Sequence, residues 1–258
     1  MKQNILVAYD FTKASDNAVE HALMTAERFG FEVHLVHIIE ESKDLEKTEN
    51  KFKKIPNYDK VICHVRIGDI FEDIVNFSYE IHSKYTVLGI HNLSLWQKYI
   101  TGSDVFKILN SEDTYSPFIL VQEGDVNPYS KILVPIDGGD ATKQKLLHVT
   151  RIAKNFQSEV VILLKKGIPE NKFSQRYIRK FFNEYSISHT FEIREEDFDE
   201  SIPLVAKETG CNLIAIVNET NNTFLPLNYT DEQSIILNEL KLPVLVVNPI
   251  KRISSYWD

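Results

Sequence analysis

The 258-residue chain is poor in cysteine, with only Cys63 and Cys211. Two thiols cannot build a disulfide framework, which excludes the stapled architecture of small secreted domains and predicts buried, reduced side chains. No stretch approaches the ~18–20 apolar residues of a membrane span. Met1-Lys-Gln runs directly into a strand-like segment, so a cytoplasmic location without a membrane partner is expected. There is no excess of positive charge either. A net charge of −8 and a pI near 5.5 argue against nucleic acid, whose phosphates select a basic face, and against an anionic membrane surface. The chain also lacks a Walker A loop, a nucleophile elbow and a CxxC pair. The acidic run from Glu192 to Glu200 lacks EF-hand spacing and reads as a solvated loop leading into a helix. His21, His34, His37, His64, His82 and His91 show no metal-ligand spacing supported by acids or cysteines.

What the chain does have is repetition. Residues 4–39 align without a gap on residues 131–166, so that Asp10 meets Asp137, Ala14 meets Ala141, Phe29 meets Phe156 and Val33 meets Val160, at a constant offset of 127. The closing segments match as well, Pro117-Phe-Ile-Leu-Val against Pro243-Val-Leu-Val-Val. Solenoid repeats run only about 20–50 residues, so this is a duplicated domain. A feature required by the fold should survive in both copies, whereas a feature required only by a site can survive in one.

Each copy alternates strand-like and helix-like segments. In the first, Ile5-Leu-Val-Ala-Tyr is a buried strand; Ala14, Ala18, Ala22, Ala26 and Phe29 lie at helical spacing, with Thr12 or Ser15 able to cap and Gly30 able to close the helix. Strands follow at Val33–Ile39, Val61–Val65, Tyr85–Ile90 and Phe118–Val121, with a solvated helix at 40–54, another at 70–81 and a fourth at 103–112. Residues 123–130 have linker composition. The pattern predicts α/β architecture with right-handed βαβ units, in two tandem doubly wound five-stranded parallel-sheet domains. The expected units are residues 1–123 and 130–250, followed by a tail at 251–258. Such sheets bind ligands beyond the carboxyl ends of their strands, where strand order reverses. That directs attention to the loops after the first and fourth strands.

After strand one the first copy reads Ala8-Tyr-Asp10-Phe-Thr, and after strand four Gly89-Ile-His-Asn92, then nine residues, then Gly102-Ser103. On the Asp after strand one, the Gly-x2-…-x9-Gly-Ser spacing and the proline before the last strand, the whole chain resembles the universal stress protein family as a tandem pair. The resemblance implies strand order 3-2-1-4-5 and a pseudo-dimer along the two last strands. A second chain, and hence a homodimer, is often added. It also implies that ATP or a related adenine nucleotide is held by Asp10, the backbone near Ile38, Gly89, the Asn92 position, Gly102 and Ser103. The physics agrees: glycines let backbone amides approach phosphate oxygens, and a helix start at Gly102-Ser103 favours an anion. Ser103 can equally be a plain N-cap and Asp10 a capping or turn residue.

The first copy departs from the family pattern at Asn92, which replaces the second glycine and carries a side chain into the phosphate path. Asp104 repels a triphosphate unless Mg²⁺ lies between them. The second copy departs further. Its loop from Val217 to Glu232 holds no glycine, and Val217, Thr220, Thr230 and Asp231 fall opposite Gly89, Asn92, Gly102 and Ser103. The expectation is therefore one adenine nucleotide per chain, bound in the N-terminal copy of a stress-response protein. No enzyme activity is expected beyond slow ATP hydrolysis. The alternative is a nucleotide-independent interaction protein with both sites degenerate, acting on an unknown protein partner.

Overall fold

The structure, a computed structural model, describes residues 2–90, 116–137, 142–167, 174–194, 198–217 and 241–248. In the first half, β1 (Asn4–Ala8), α1 (Lys13–Phe29), β2 (Glu32–Ile39), α2 (Leu45–Phe52), β3 (Ile62–Ile67), α3 (Ile70–Glu80), β4 (Ser83–Gly89) and β5 (Phe118–Val121) follow one another. In the second half come β6 (Lys131–Ile136), α4 (Thr142–Phe156), β7 (Glu159–Lys165), α5 (Gln175–Glu184), β8 (His189–Arg194), α6 (Phe198–Thr209), β9 (Leu213–Val217) and β10 (Val244–Val247).

The strands form a single ten-stranded sheet of order β3-β2-β1-β4-β5-β10-β9-β6-β7-β8. Each half therefore has the expected order 3-2-1-4-5, and every pair within a half is parallel. The halves meet where β5 and β10 pair antiparallel, Ile119 opposite Leu245. This joint is what merges two sheets into one. Both last strands are buried on both faces, as their uninterrupted apolar sequences require.

Alternation along the strands feeds two cores. Ile5, Val7 and Tyr9 face α1 and α2, while Leu6 faces α3. The first of these cores runs unbroken across the joint between halves. There Phe29 meets Phe156 at 6.3 Å, the Arg28 guanidinium lies over Phe156, and that of Arg151 over Phe29 and Phe31. Tyr129, fully buried in the connecting segment, packs on Phe156 and shares a hydrogen bond with His21.

The duplication extends to details that sequence alignment alone does not display. Thr12 caps α1 through a reciprocal pair with Ser15, and Gly30 ends it in the left-handed region at φ 71°. Gln157, the repeat equivalent of Gly30, takes the same conformation at φ 57°. The strap from the third strand to the third helix is also repeated, Arg66 to Glu80 at 2.6 and 3.0 Å and Arg194 to Glu208 at 3.5 Å. Features kept in both copies belong to the fold.

Two expectations are adjusted. The acidic run from Glu192 begins inside β8 rather than in a loop, because its first three residues pair with β7. The helix over 40–54 is limited to a short 3-10 turn and α2, with Thr48 and Phe52 its buried residues. Cys211 is buried as anticipated, whereas Cys63 is half-buried on the edge strand β3. The helix expected at 103–112 lies outside the described residues.

Candidate functional site

The site begins where β1 ends. The Tyr9 amide donates to Val36 O at 2.9 Å, carrying the β1–β2 ladder one residue past β1. Asp10 is exposed, and its Oδ1 accepts from the Thr12 amide at 3.0 Å and the Thr12 hydroxyl at 2.5 Å. A carboxylate bonded to the amide two residues on is an Asx turn. It turns the chain from strand into helix, and Thr12 then caps α1 by accepting from the Ser15 amide at 3.2 Å. The residue inside the turn, Phe11, is held at φ 64°. A bulky side chain rarely adopts this conformation, which costs of order 1–3 kcal/mol and persists only where packing enforces it. The enforcing contacts are visible: the Phe11 ring lies 5.0 Å from Tyr9, 4.8 Å from His37 and 5.1 Å from Phe52, and the Lys51 ammonium sits 5.1 Å from its centroid.

Ile38 lies one residue before the end of β2, half-buried on the α3 side together with Ala8. Its register partner on β3 is Arg66. That guanidinium is bidentate to Glu80, whose carboxylate is held below its usual range first by this hydrogen bond. Around the corner, His37 Nδ1 lies 2.7 Å from Tyr9 O. The Tyr9 hydroxyl donates to Asp16, and burial followed by that bond pushes its pKa up, so it stays protonated.

Gly89 ends β4, opposite Val121 of β5. A Cβ placed on it would lie 2.4 Å from both the carbonyl carbon and the oxygen of Ala14, and 2.7 Å from the Ser15 amide nitrogen. The glycine is thus required by the close approach of β4 to the first turn of α1. Any role toward a phosphate comes in addition to this one. Val217, its counterpart at the end of β9, is buried.

Ala8 is in register with both Val36 of β2 and Leu88 of β4. The fold therefore brings Asp10, Ile38 and Gly89 to one carboxyl edge, at the β1/β4 reversal of strand order. The other three candidates, Asn92, Gly102 and Ser103, lie outside the described residues, as does Asp104. Among the described residues no group of three or more His, Cys, Asp or Glu could hold a metal ion, and no helix is long and apolar enough to cross a membrane.

Whole-chain comparison gives the fold its relatives. A universal stress protein from Archaeoglobus fulgidus superposes with a TM-score of 0.71 at 17% identity, over 95% of this chain and 98% of that one. The chain carries the universal stress protein fold twice. A putative universal stress protein from Pseudomonas aeruginosa UCBPP-PA14 is similar at TM-score 0.60 and 17% identity, over 96% of this chain and 94% of that one. A functionally unknown protein from P. aeruginosa PAO1 gives 0.62, also at 17% identity, over 96% and 93% of the two chains. The universal stress protein family model matches residues 1–49, from β1 into α2. Among curated proteins none matches. At such identities the likeness establishes the tandem universal stress protein fold and leaves the ligand to the site itself.

Two site features escaped the sequence reading. The strained Phe11 had no signal, since φ is fixed by long-range packing. Lys145 did have one. The repeat carries the inward positions Ala14, Ala18, Ala22 and Ala26 onto Ala141, Lys145, Val149 and Ala153, and a lysine in that apolar series is out of place.

Proposed function

We propose that this is a stress-response protein that holds one adenine nucleotide, ATP or a related molecule, in the crevice of its first half. In this reading residues 1–123 form the binding unit, residues 130–250 a second unit with a degenerate loop, and residues 251–258 a tail. The observation that carries it is the convergence of Asp10, Ile38 and Gly89 on the carboxyl edge at the β1/β4 reversal, where doubly wound sheets take their ligands. Half-buried Ala8 and Ile38 offer an apolar floor for a base, and Asp10 an acceptor for a ribose. Asn92, Gly102 and Ser103 are assigned the phosphates, with Mg²⁺ placed between these and Asp104. The role is binding, with at most slow hydrolysis. A homodimer and a protein partner belong to the same proposal.

The test compares melting temperatures. A ligand selective for the folded state must raise Tm. Millimolar ATP with Mg²⁺ should raise that of the wild type and leave Gly102→Val unmoved, while Asn92→Gly should tighten binding. Calorimetry should find one site per chain, and denaturing the purified protein should release an adenine nucleotide detectable by mass spectrometry. A wild type that shows no shift and carries no ligand would end this reading.

One observation favours the alternative, a nucleotide-independent interaction protein. Asp10 Oδ1 is already engaged by Thr12 in the turn that starts α1, a role the fold needs with or without a ligand. In that case ATP shifts neither protein, and partner capture fails when β5 or β10 is altered.

A further inference from the structure

The second half contains a lysine where a lysine should not be. Lys145 lies on α4 and is only 2% exposed, and its ammonium donates to the carbonyl oxygen of Pro135 near the end of β6. Burying an ammonium is costly, so such a group is retained only where its surroundings are built to receive it. The repeat shows how this place is built. Position 145 answers to Ala18 and position 136 to Tyr9 of the first half; all four residues are buried, and Tyr9, Ala18 and Ile136 share one core cluster. The first half thus pairs a large strand residue, Tyr9, with a small helix residue, Ala18. The second half pairs a smaller strand residue, Ile136, with a long helix residue, Lys145. The Tyr9 hydroxyl ends on Asp16 in the first turn of α1, and the Lys145 ammonium on the Pro135 carbonyl near the carboxyl end of β6.

The backbone changes in step. In the first half the β1–β4 ladder runs from Asn4 to Ala8, opposite Leu88. In the second half the β6–β9 ladder registers Ile132 with Leu213 and Leu133 with Ile214, and among the described residues it goes no further. Pro135, which answers to Ala8, has no N–H to give to β9. Val217 brings a branched side chain where the first half tolerates only Gly89 against its helix. The ladder therefore ends at the reversal of strand order, and the Lys145 ammonium bonds the strand carbonyl there.

We propose that the second half contains a pocket for a primary ammonium group at the β6/β9 reversal, and that the chain fills this pocket itself with Lys145. The pocket takes an alkylammonium: three methylenes packed against the α4–β6 core and a charged head on the Pro135 carbonyl. Its built-in occupant closes the second crevice from the α4 side. This inference stands whether or not the first half binds a nucleotide, and its test involves no nucleotide.

The test is chemical rescue. Lys145→Ala removes the propylammonium part of the side chain and should lower Tm by roughly 5–10 °C, the size of a sizeable core truncation in a chain of this length. Added n-propylammonium should then restore about 3 °C or more at concentrations several-fold above its Kd. Equimolar n-propanol or tetramethylammonium should restore nothing, and the wild type should not respond to the amine. Lys145→Met keeps most of the stem and refuses the amine; it should lose less stability and show no rescue. If Lys145→Ala does not fold alone, refolding it with n-propylammonium should recover folded protein, where n-propanol does not. A Lys145→Met variant as stable as the wild type, or a Lys145→Ala variant that the amine rescues no better than n-propanol does, would overturn the proposal.

Discussion

Acid should loosen this protein, and His21 gives the size of the effect. The side chain is 3% exposed, stacks on Tyr129 at 5.9 Å and shares a hydrogen bond with its hydroxyl at 3.1 Å. Burial lowers its pKa from 6.5 to about 4. Its repeat equivalent, His148, is also lowered to about 4, by burial and then by Arg151. A group whose folded pKa lies below its unfolded value takes up a proton first in the unfolded chain. The stability attached to neutral histidine is therefore complete above pH 6.5, falls as pH drops from 6.5 toward 4, and levels off below that. At about 1.36 kcal/mol per pH unit between the unfolded and folded values, each histidine loses roughly 1 kcal/mol between pH 7 and 5.5, and roughly 2 kcal/mol by pH 4.5. Carboxylates titrate over the same range, so the measurement is a difference. Urea midpoints at pH 7, 5.5 and 4.5 are compared for the wild type and His21→Gln, which cannot titrate. The variant should be the less stable protein at pH 7, and its stability should fall less steeply with acid, by about one histidine's worth. Parallel losses in the two proteins would refute the assignment of a buried neutral imidazole at position 21.

Gly89→Ala should destabilise the first half by about 1–3 kcal/mol or more, since the new Cβ collides with backbone rather than with a yielding side chain. Thermal melts without any ligand check this, and a neutral result would free Gly89 for a purely ligand-directed role. At the matched helix ends, Gln157→Gly should stabilise by up to about 1 kcal/mol by relieving a side chain at φ 57°, whereas Gly30→Gln should cost about as much. Equal and opposite shifts in urea midpoint would confirm that the two caps are the same structure in the two halves.

The sequence by itself determined the duplication, the order of elements and the edge on which to look for a ligand. These rest on short-range patterns. Apolar runs of strand length, the four-residue spacing of Ala14, Ala18, Ala22 and Ala26, and turn residues such as Gly30 are set by local geometry, and the repeat lets each half check the other. The same comparison separated the candidate site of the first half from the degenerate loop of the second. Only the tertiary structure decided what individual residues at that edge do. Gly89 read as a phosphate-loop glycine because its spacing matched a motif, yet its tightest constraint is the Ala14 backbone, some 75 residues away in sequence. Phe11 reads as an ordinary apolar residue, and its left-handed conformation follows from rings on β2 and α2 that only folding brings to it. Lys145 breaks the helical pattern visibly, but the pattern cannot say whether a lysine in that place bends out to water or turns inward. In the fold the ammonium turns inward and donates to the carbonyl of Pro135, beyond the β6–β9 register pairs. Periodicity specifies which side of an element is apolar; the polar partner that permits an exception comes from another part of the chain, and only the assembled sheet brings the two together.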